Sequence, residues 1–512
     1  MLVSSFTKAA ATEIASRGVS VDRKNIGTLH AICYHLLNEP DLTESKLKDW
    51  NIYAPQLALF NAKADIDDPY ATKTQSENDE QFLEIQRLRA RMIPIELWNS
   101  RLQFFYKKWN EWKKESGLLD FEDLLQHCYL DFDNPPNNCT VGFFDEAQDF
   151  TLSQISLVRK WADKMYHALL AGDDDQMIFG FTGATTEAFL LPEIPNNQKE
   201  ILTQSYRVPI KIHRLSEQIV KKLSYRENKE YLPRDYEGNI SLNNSDFKHP
   251  EKLLNVIDKY LAKDKTVMIL GACSYHIEPM RAVLKKNGYP FHNPYRLKRG
   301  DWNPISRRKN AVMSFERLLA FLNPFAGDPD LKFWTPSQLE SWIHHFDAKN
   351  GLIRGAKKGI ANLGLGAGNY KNYVGFAEAM SRFFKEDKLF ELFDLMDDEL
   401  TIKWFLDNIL DSKKGLYKYP INVIKKFGQE TLKDKPKITI GTIHSVKGGE
   451  SDAVILFPDL SANGYRQWIR HGDSKDQIIR QFYVAITRAK EDLIICNPAT
   501  PFYFETSMKG IL

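Results

Sequence analysis

Hydrophobic residues follow two alternating patterns along the chain. Some segments are near-continuous apolar runs that end in Gly, Asp or Ser, such as "TVGFFDEAQD", "HALLAGDDDQ" and "TVMILGACS". Such runs are typical of parallel strands that are covered on both faces. Other segments, such as "FLEIQRLRARM" and "FFYKKWNEWKK", repeat apolar residues every three or four positions, which predicts amphipathic helices. The alternation of the two patterns favours an α/β fold.

The N-terminal region shows the alternation over a short distance. The pattern predicts a strand over Leu2 to Phe6, a helix over Ala9 to Arg17, a strand over Asn25 to Leu29 and a helix from Ala31 onward. Strands that alternate with helices in this way favour a parallel sheet.

Two helical segments interrupt the α/β pattern. Residues 41–128 are rich in charge, Trp and helix formers, and residues 329–427 are helical and aromatic with Gly-rich breaks. The α/β pattern occupies the remaining ranges, which are 1–40, 129–198, 199–328 and 428–512. We therefore expect two α/β units with parallel sheets, each carrying a helical insertion.

The composition is that of a soluble globular protein with several domains. Hydrophobic residues make up 43% and charged residues 27% of the 512 positions, which excludes a disordered or collagen-like chain. The 69 basic and 67 acidic residues leave a net charge of +2, so any basic surface is local and a nucleic-acid ligand is neither demanded nor excluded. No apolar run approaches the about 18 residues that a membrane span needs.

The cysteines are widely spaced and form no C-x-x-C pair. They are Cys33, Cys128, Cys139, Cys273 and Cys496. This spacing argues against a zinc site or a disulfide framework, and it fits the reduced thiols of a cytoplasmic protein.

Carboxylates follow the strand that ends at "FFDEAQD". Asp145 and Glu146 stand where open parallel sheets bind ligands, at the carboxyl end of a strand. Asp145 is suited to hold Mg²⁺ and Glu146 to polarise an attacking water. For a lone Asp-Glu pair, a solvated acidic turn would be the better interpretation, so the assignment depends on the other residues of the set.

Three further residues complete a candidate phosphate site. Gln176 follows the next strand, where it could orient water or contact a terminal phosphate. Arg207 in "QSYR" and Arg488 in "AITRAK" are the arginines best placed by their motifs to meet phosphate charge. Individually, each arginine is more often part of a surface salt bridge.

The ordered motifs resemble those of a known family. They are "SSFTKAA", "GTLHAICY", "DFEDLL", "FFDEAQD", "LLAGDDDQMIFGFTGA", "LTQSYRVP", "ITIGTIHSVKGGESDAVIL" and "FYVAITRAKEDLII". Eight motifs in this order resemble superfamily 1 helicases of the UvrD/Rep/PcrA type over essentially the whole chain. The resemblance implies two RecA-like P-loop NTPase-type domains, 1A (1–40 and 129–198) and 2A (199–328 and 428–512), with a 1B-like insertion (41–128) and a reduced 2B-like insertion (329–427).

The resemblance also implies an activity. It predicts an ATP-dependent translocase or helicase that uses ATP and Mg²⁺ and acts on single-stranded DNA and single-strand/duplex junctions, with a protein partner contacting the 2B-like region. "DFEDLL" and the Lys447-Gly448 pair in "TIHSVKGGE" resemble the UvrD branch, which moves 3′ to 5′. Repair, replication, recombination and mobile-element replication all remain open as pathways.

For nucleotide binding, the resemblance assigns one role to each matching residue. Asp145 and Glu146 would be the Mg²⁺ ligand and the catalytic carboxylate, and Gln176 would sense phosphate and couple ATP to DNA. Tyr206 would stack on the adenine, and Arg207 would contact the γ-phosphate. Glu450 would bind the ribose, and Arg488 would be a second arginine finger.

For DNA binding, the resemblance assigns two sets of contacts and a pair of aromatic rings. These residues are Phe6, Thr7, Thr28 and His30 in the first unit, Thr442 and His444 in the second, and Phe179 and Phe181 as rings against bases. Base stacking tolerates any sequence, as a translocating motor requires. Without the resemblance, core packing would be the favoured interpretation of both Phe residues. Thr182 stands where the family usually has Arg, which removes one charged contact.

The family's phosphate-binding loop, G-x-x-x-x-G-K-[ST], does not occur in the 512 residues, which contain no Gly-Lys-Ser or Gly-Lys-Thr. Its backbone N–H groups cradle the phosphates and its Lys neutralises their charge. We therefore expect one β-α unit with this loop to be missing ahead of Met1, and the chain to hydrolyse ATP poorly or not at all. An incomplete sequence, a split enzyme whose loop comes from another chain, and a non-hydrolysing DNA-binding or regulatory module are the three interpretations.

Overall fold

The computed structural model describes most of the chain, in two compact units. The described residues are 1–6, 11, 21–61, 65, 67–70, 76–306, 311–323, 325–328, 331–334, 336–349, 351–361, 374–375, 381–388 and 398–505. The first unit consists of Met1–Lys252, Ala262–Glu278 and Gly441–Leu512, and the second of Leu253–Leu261 and Pro279–Ile440.

The first unit contains a parallel four-stranded sheet. Its strands are β1 (Leu2–Ser5), β2 (Ile26–Gly27), β3 (Val141–Asp145) and β4 (His167–Leu170), in the order β2-β1-β3-β4. Leu2 pairs with Gly142, and Phe143 pairs with Leu169. Every pairing in this sheet is parallel, as the apolar runs predict.

One face of this sheet packs on a core and the other is open along two strands. Leu2 and Phe144 belong to the core cluster together with Trp161, whereas Phe143 and Leu169 are 41% and 58% exposed. The apolar run predicts burial of both faces, but at these two positions only one face is covered, because the described helices of this cluster pack on the opposite side.

The N-terminal elements differ in detail from the prediction. The strand expected over Asn25 to Leu29 is reduced to Ile26–Gly27, because a 3-10 turn occupies Arg23–Asn25 and helix α1 (Leu29–Leu36) begins at once. Thr28 accepts a hydrogen bond from the Ala31 N–H and so caps α1. The helix predicted over Ala9 to Arg17 lies outside the described residues, apart from Ala11.

Residues 41–128 are mainly helical, as their periodicity predicts. Its α-helices are α2 (Leu47–Tyr53), α3 (Glu77–Ala90), α4 (Ser100–Ser116) and α5 (Phe121–Asp131). The apolar faces of α2, α3 and α4 meet in an aromatic cluster around Trp50, in which the Trp50 and Trp109 rings lie 4.9 Å apart. The buried residues of α5 pack instead in the core of the four-stranded sheet. The "FFYKKWNEWKK" stripe supplies this face of α4.

A buried ionic network joins three of these helices. Asp120 accepts from Arg89 at 2.7 Å, from Lys113 at 2.7 Å and from the Trp109 indole at 2.9 Å. Asp120 also caps α5 in a reciprocal capping box with Asp123. The "DFEDLL" motif therefore fixes where α5 begins.

The rest of the first unit contains a second parallel sheet. Its strands run in the order β7 (Asn239–Asn243), β15 (Ala489–Cys496), β14 (Ser451–Leu456) and β8 (Val267–Gly271). β5 (Gln204–Pro209) and β6 (Leu232–Arg234) form a separate parallel pair. The α-helices are α6 (Leu152–Ala162), α7 (Thr186–Leu190), α8 (Ile210–Val220), α16 (Ala462–Trp468) and α17 (Asp473–Ile486).

The second unit is mainly helical. Its α-helices are α9 (Leu253–Leu261), α11 (Ser314–Leu322), α12 (Pro336–Ile343), α13 (Ala356–Ala361), α14 (Asp398–Asn408) and α15 (Asp411–Phe427). The strands are β9 (Phe291–His292), β10 (Phe325–Asp328), β11 (Leu331–Trp334) and β12 (Val374–Gly375). Helix α10 (Ser274–Lys286) and strand β13 (Ile438–Thr442) pass from one unit to the other. An aromatic core around Phe321 and Trp342, with ring centroids 5.2 Å apart, holds the helices together.

Two further observations concern the cysteines and the lengths of the helices. All five cysteines are free and buried. Among the described residues, no helix is long and apolar enough to cross a membrane.

Candidate functional site: carboxylates, arginines and an aromatic cluster

The carboxylate pair lies at the carboxyl end of β3, as predicted. Asp145 ends the strand, and Glu146 follows with φ 56° and ψ 36° before a 3-10 turn over Ala147–Asp149. A left-handed conformation at a residue other than Gly costs about 1 to 3 kcal/mol, and such residues cluster at functional sites. Six other described residues share a positive φ, so it is the position of Glu146 beside Asp145 at the strand end, together with this conformation, that makes it a candidate functional residue.

Lys447, whose motif indicated only the UvrD branch, also contacts this site. The Lys447 ammonium pairs with the Asp149 carboxylate, lies 3.3 Å from Glu146 Oε2, and donates to the Gln176 carbonyl at 2.7 Å. The Lys447 side chain is 7% exposed. Burial would raise the pKa of Glu146, but the nearby Lys447 holds it below its usual value.

Asp149 is a second residue that the sequence analysis missed. It is buried, and burial raises its pKa to about 7 against the opposing charge of Lys447. Its motif position, as the last residue of "DEAQD", could have indicated it. Glu146 and Asp149 thus share one buried ammonium.

Gln148 holds Glu146 from the other side. Its amide nitrogen donates to Glu146 Oε2 at 2.6 Å, and its side-chain oxygen accepts from the Asp173 N–H at 3.1 Å. This close approach explains Gly172, where an added Cβ would lie 2.5 Å from Gln148 Oε1 and 3.1 Å from its backbone nitrogen. The ends of β3 and β4 are therefore tied through a single buried amide side chain.

Gln176 lies within the same site. Its amide nitrogen donates to Asp173 Oδ2 at 2.6 Å, and its side-chain oxygen accepts from Arg488 at 2.9 Å. The structure thus brings together Glu146, Gln176 and Arg488, three of the five residues predicted for catalysis.

The acidic run beside Gln176 is already neutralised. Asp173, Asp174 and Asp175 have carboxylate oxygens within 4.8 Å of one another. Lys229 pairs with all three, and Arg226 pairs with Asp175 at 2.6 Å. This run therefore acts as an ion-pair anchor for the segment that carries Gln176.

Arg488 is a buried guanidinium held by neutral groups. It donates to the carbonyls of Val484 and Gly449 at 2.9 and 3.1 Å, and among the residues that the structure describes no carboxylate lies within ion-pair distance. Burial, reinforced by the charge of Arg207, lowers the pKa of Arg488 to about 9. The charges of Arg207 and of the Glu146 carboxylate both act on Arg488. Two guanidiniums near one carboxylate favour a further anionic ligand.

The other predicted nucleotide contacts lie at the surface. The Tyr206 side chain is 86% exposed, so its ring is available for stacking. Glu450 is also exposed and lies 3.7 Å from Lys490. Within the described ranges of the chain, neither residue has a contact that would prevent it from meeting a ligand.

The donors at this site fit Mg²⁺ and a nucleotide triphosphate. Burial and the charge of Glu146 raise the pKa of Asp145, so a cation beside these two carboxylates would be stabilising. Carboxylate oxygens are the ligands that Mg²⁺ prefers. Arg207 and Arg488 supply the positive charge that phosphate oxygens require.

The predicted DNA-contacting aromatic residues form one cluster. The Phe179 ring lies 4.7 Å from Phe6, 5.9 Å from Phe181 and 5.9 Å from His444. Phe179 is only 1% exposed, whereas Phe6 and Phe181 are half-buried. Lys447 Nζ lies 5.5 Å from the centre of the Phe179 ring, so the aromatic cluster and the carboxylate site share one side chain.

The remaining predicted DNA contacts have structural roles here. Thr442 is buried and its hydroxyl donates to the Asp67 carbonyl, and the His444 ring contacts the Ile178 carbonyl at 3.2 Å. Thr182 donates to the Phe179 carbonyl at 2.7 Å. Thr7 lies outside the described residues.

His30 lies next to Phe121, an aromatic residue that was not among the predicted DNA contacts. The His30 ring lies 5.4 Å from Phe121, which is exposed. Burial lowers the pKa of His30 to about 4, against the opposing charge of Asp120. His30 is therefore neutral near pH 7, next to an open aromatic face.

Comparison with known proteins places the chain in a family. Residues 1–194 match the UvrD/REP helicase N-terminal domain, and residues 377–498 match the UvrD-like helicase C-terminal domain. Together the two matches cover more than half of the chain. With the parallel α/β sheets, they confirm the predicted fold class, consistent with two RecA-like domains.

Curated relatives show the same relationship at low identity. The ATP-dependent DNA helicase PcrA of Staphylococcus epidermidis is 23% identical over 464 residues, which covers 79% of this chain and 62% of that protein. PcrA of Staphylococcus aureus is also 23% identical, over 459 residues, covering 78% of this chain and 61% of that protein. The ATP-dependent DNA helicase Rep of Buchnera aphidicola is 22% identical over 567 residues, covering 96% of this chain and 83% of that protein. The chain thus spans about three fifths of the PcrA proteins it matches, and it belongs to the UvrD-like helicase family.

Proposed function

We propose that the chain is the motor of an ATP-dependent DNA translocase and helicase of the UvrD type that moves 3′ to 5′ on single-stranded DNA. One observation carries the proposal. Arg488 is a buried guanidinium without a carboxylate partner in the described part of the chain, and it is bonded to Gln176 and lies near Arg207. Burial of a guanidinium near a second one is costly, and an anionic phosphate would add to the compensation that the nearby charge of Glu146 provides.

The proposed chemistry divides among the residues of the site. Bound Mg²⁺ would supply charge that stabilises the phosphates of ATP. Asp145 would hold that ion, and Glu146 would orient and polarise the attacking water. Arg207 and Arg488 would meet the charge that develops on the transferred phosphoryl group. Through its hydrogen bond with Arg488, Gln176 would respond to the presence of the phosphoryl group.

The remaining nucleotide contacts are proposed for the two exposed residues. Tyr206 would stack on the adenine and Glu450 would bind the ribose. Both side chains are open to solvent, so binding needs no rearrangement of the core around them.

Single-stranded DNA is proposed to meet the aromatic cluster and the residues around it. Phe6 and Phe181 are half-buried and would offer ring faces to bases, while Thr28 and His30 would contact the strand beside the exposed Phe121. Thr7, Phe179, Thr442 and His444 complete the proposed set. Phe179, Thr442 and His444 are buried, so they would contact DNA only after a local opening, or would support the half-buried rings of Phe6 and Phe181.

We further propose that these 512 residues alone hydrolyse ATP poorly, since they contain no Gly-Lys-Ser or Gly-Lys-Thr for phosphate binding. Without such a loop, the carboxylates and arginines surround a triphosphate that no backbone cradle holds. A loop supplied on a connected or separate segment would restore turnover. A non-hydrolysing DNA-binding module is the alternative, and it predicts no restoration.

The division into domains 1A (1–40 and 129–198), 1B-like (41–128), 2A (199–328 and 428–512) and 2B-like (329–427) is part of the proposal. The proposal also includes binding to single-strand/duplex junctions and a protein partner that contacts the 2B-like region. Within the 41–128 range, residues 50–118 have an aromatic core of their own, which supports the treatment of this part as an insertion.

Two measurements on the 512-residue chain test this function. Fluorescence anisotropy should show binding of single-stranded DNA that weakens with salt, and ATP turnover should stay at background with or without that DNA. Absence of DNA binding would contradict a DNA motor. Turnover stimulated by DNA in this chain alone would support the motor and refute the need for an added loop.

A further inference from the structure

The chain between Asn61 and the start of α3 has both of its ends held by one carboxylate. Asp79 of α3 accepts from the N–H groups of Phe60 and Asn61 at 3.0 and 2.9 Å, and from the Ser76 N–H at 3.3 Å. Residues 62–75 connect these two ends. Connections whose ends lie close together are frequently functional, and the middle of this one can change position while α3 stays in place.

The described residues in the middle of this connection are acidic and buried. We name them the acidic tip, which consists of residues 65 and 67–70. The Asp65 side chain accepts from the Asp67 N–H at 3.1 Å, and its carbonyl accepts from the Asp68 N–H at 3.1 Å. Asp67, Asp68 and Tyr70 are 8%, 2% and 5% exposed. The acidic tip is therefore docked against the rest of the first unit.

The Asp68 carboxylate binds the N-terminus of α10. The Ser274 N–H donates to Asp68 Oδ2 at 2.9 Å, and the Ser274 hydroxyl donates to the same oxygen. Ser274 belongs to the first unit, as the acidic tip does. A helix N-terminus attracts anions, because its free N–H groups and its dipole both favour negative charge. A backbone phosphate could therefore make the contacts that Asp68 makes here.

The charge of Asp68 is only partly compensated. Among the residues that the structure describes, no Lys, Arg or His lies within ion-pair distance of it. Burial raises the pKa of Asp68, although the hydrogen bonds from Ser274 oppose the shift. A buried carboxylate without a cation is costly, so return of Asp68 to water offsets part of the free energy needed to undock the acidic tip.

Two further contacts place the acidic tip on residues predicted to bind DNA. The Thr442 hydroxyl donates to the Asp67 carbonyl. The Tyr70 ring meets the His444 ring edge-on at 5.7 Å, and His444 also lies 5.8 Å from Phe181. The acidic tip thus offers these residues negative charge, a polar acceptor and an aromatic ring, which are the groups that a nucleotide would offer.

We propose that the acidic tip occupies the single-strand site in the DNA-free protein and that single-stranded DNA displaces it on binding. The inference rests on the proposed function, which assigns Thr442 and His444 to the DNA site. Displacement frees the Thr442 hydroxyl, the Ser274 N–H and the edge of the His444 ring. It also moves the carboxylates of the acidic tip away from the incoming phosphates, so the acidic tip is an internal competitor of DNA.

The test compares wild-type protein with D68A/Y70A, which removes the contacts with Ser274 and His444. Fluorescence anisotropy measures binding of a single-stranded oligonucleotide at one salt concentration. The apparent affinity is reduced by the fraction of protein that is competent to bind, so docking in about nine molecules of ten weakens binding about tenfold. We expect D68A/Y70A to bind about threefold to tenfold more tightly than wild-type protein.

The matched control is D49A/Y53A, which removes the same two residue types from α2. Asp49 and Tyr53 are both exposed, and the control loses the same charge as the test variant. It should bind the oligonucleotide within twofold of wild-type protein. A gain confined to D68A/Y70A would separate undocking of the acidic tip from a general loss of negative charge.

Hydrogen exchange on wild-type protein tests displacement without any substitution. On addition of the oligonucleotide, peptides that contain 67–70 should exchange at least threefold faster, because the turn hydrogen bonds lose their protected setting. Peptides that contain Phe179 and Phe181 should exchange more slowly, because DNA covers them. This measurement decides the question even if D68A/Y70A does not fold.

Unchanged or weaker DNA binding by D68A/Y70A would overturn the inference, as would an equal gain in the control. Unchanged or slower exchange of 67–70 in the DNA complex would also overturn it. Failure of the proposed function gives a different result, because neither wild-type protein nor D68A/Y70A would then bind the oligonucleotide, and both proposals would be refuted. Binding by D68A/Y70A with none by wild-type protein would support both.

Discussion

The Arg488 guanidinium donates a hydrogen bond to the side-chain oxygen of Gln176 at 2.9 Å. Arg488 follows α17, and Gln176 follows β4, where its amide nitrogen is held by Asp173 at 2.6 Å. A carboxamide is suited to this place because one oxygen accepts and one nitrogen donates at the same time. Gln176 therefore connects the arginine to the ion-paired segment Asp173 to Asp175.

Replacing Gln176 with Ala should uncouple ATP hydrolysis from DNA. Arg488 loses its side-chain acceptor, while the aromatic cluster is untouched. In a form of the protein that turns over ATP, we expect the stimulation of turnover by single-stranded DNA to fall at least tenfold, or about 1.4 kcal/mol, with unchanged DNA affinity. The control is Gln198→Ala, at an exposed residue. Equal stimulation in both variants would refute the coupling role.

Lys447 and Asp149 should show strong energetic coupling. Both side chains are buried, and removing one member of a buried pair costs about 3 to 5 kcal/mol when the other charge is left uncompensated. Lys447→Met leaves Glu146 and Asp149 without their cation, whereas Asp149→Asn leaves Lys447 paired with Glu146 and should lie at or below the lower end of that range. We expect Lys447→Met and Asp149→Asn each to lower the free energy of unfolding by these amounts, and the double variant to cost less than the sum. Urea unfolding of the four proteins measures this coupling. Strict additivity would mean that the pair does not stabilise the site.

Two neighbouring phenylalanines should respond differently to Ala substitution. Phe179 is 1% exposed and packed on Phe6, so Phe179→Ala should lower stability by about 3 to 5 kcal/mol. Phe181 is half-buried, so Phe181→Ala should weaken single-stranded DNA binding by about 1 to 3 kcal/mol with a smaller effect on stability. Thermal unfolding and anisotropy separate the two effects. Unchanged DNA affinity in Phe181→Ala would favour core packing for both rings.

The sequence predicted elements with strong periodicity and motif residues at strand ends. The strand that ends at Asp145 and the stripe on α4 both follow from local pattern. The short strand at Ile26–Gly27 was overestimated, because the cap at Thr28 begins a helix where apolar residues alone favour a strand.

Contacts between distant residues were not predictable from local pattern. Lys447 is almost 300 residues from Asp149 in the chain, so their ion pair depends on the tertiary fold. The left-handed backbone of Glu146 also has no signal in residue type, because Glu does not favour that conformation.

Glu122 should make stability depend on pH. It lies on α5 near Arg89, Asp120 and Asp123, accepts from Ser153 at 3.1 Å, and burial raises its pKa to about 7. An acid with a raised folded pKa binds more protons when folded, so its effect on stability becomes unfavourable as pH rises from about 4.5 to 7. We expect a decrease in that window of up to about 3 kcal/mol.

The Glu122→Gln variant isolates this effect. It keeps the side-chain shape and removes the titration, so urea unfolding at pH 5 and pH 7.5 should show a smaller loss of stability than wild-type protein shows. The same pH dependence in both proteins would assign the effect to other groups.

The central claim is that Glu146 is the catalytic carboxylate of a DNA-stimulated ATPase. The most direct measurement is ATP turnover, with and without single-stranded DNA, by a chimera in which a segment bearing G-x-x-x-x-G-K-[ST] precedes Met1, compared with the same chimera carrying Glu146→Gln. We expect DNA-stimulated turnover in the first protein and a loss of about a hundredfold or more in the second, with DNA binding retained. Equal turnover in the two chimeras, or turnover that DNA does not stimulate, would contradict it.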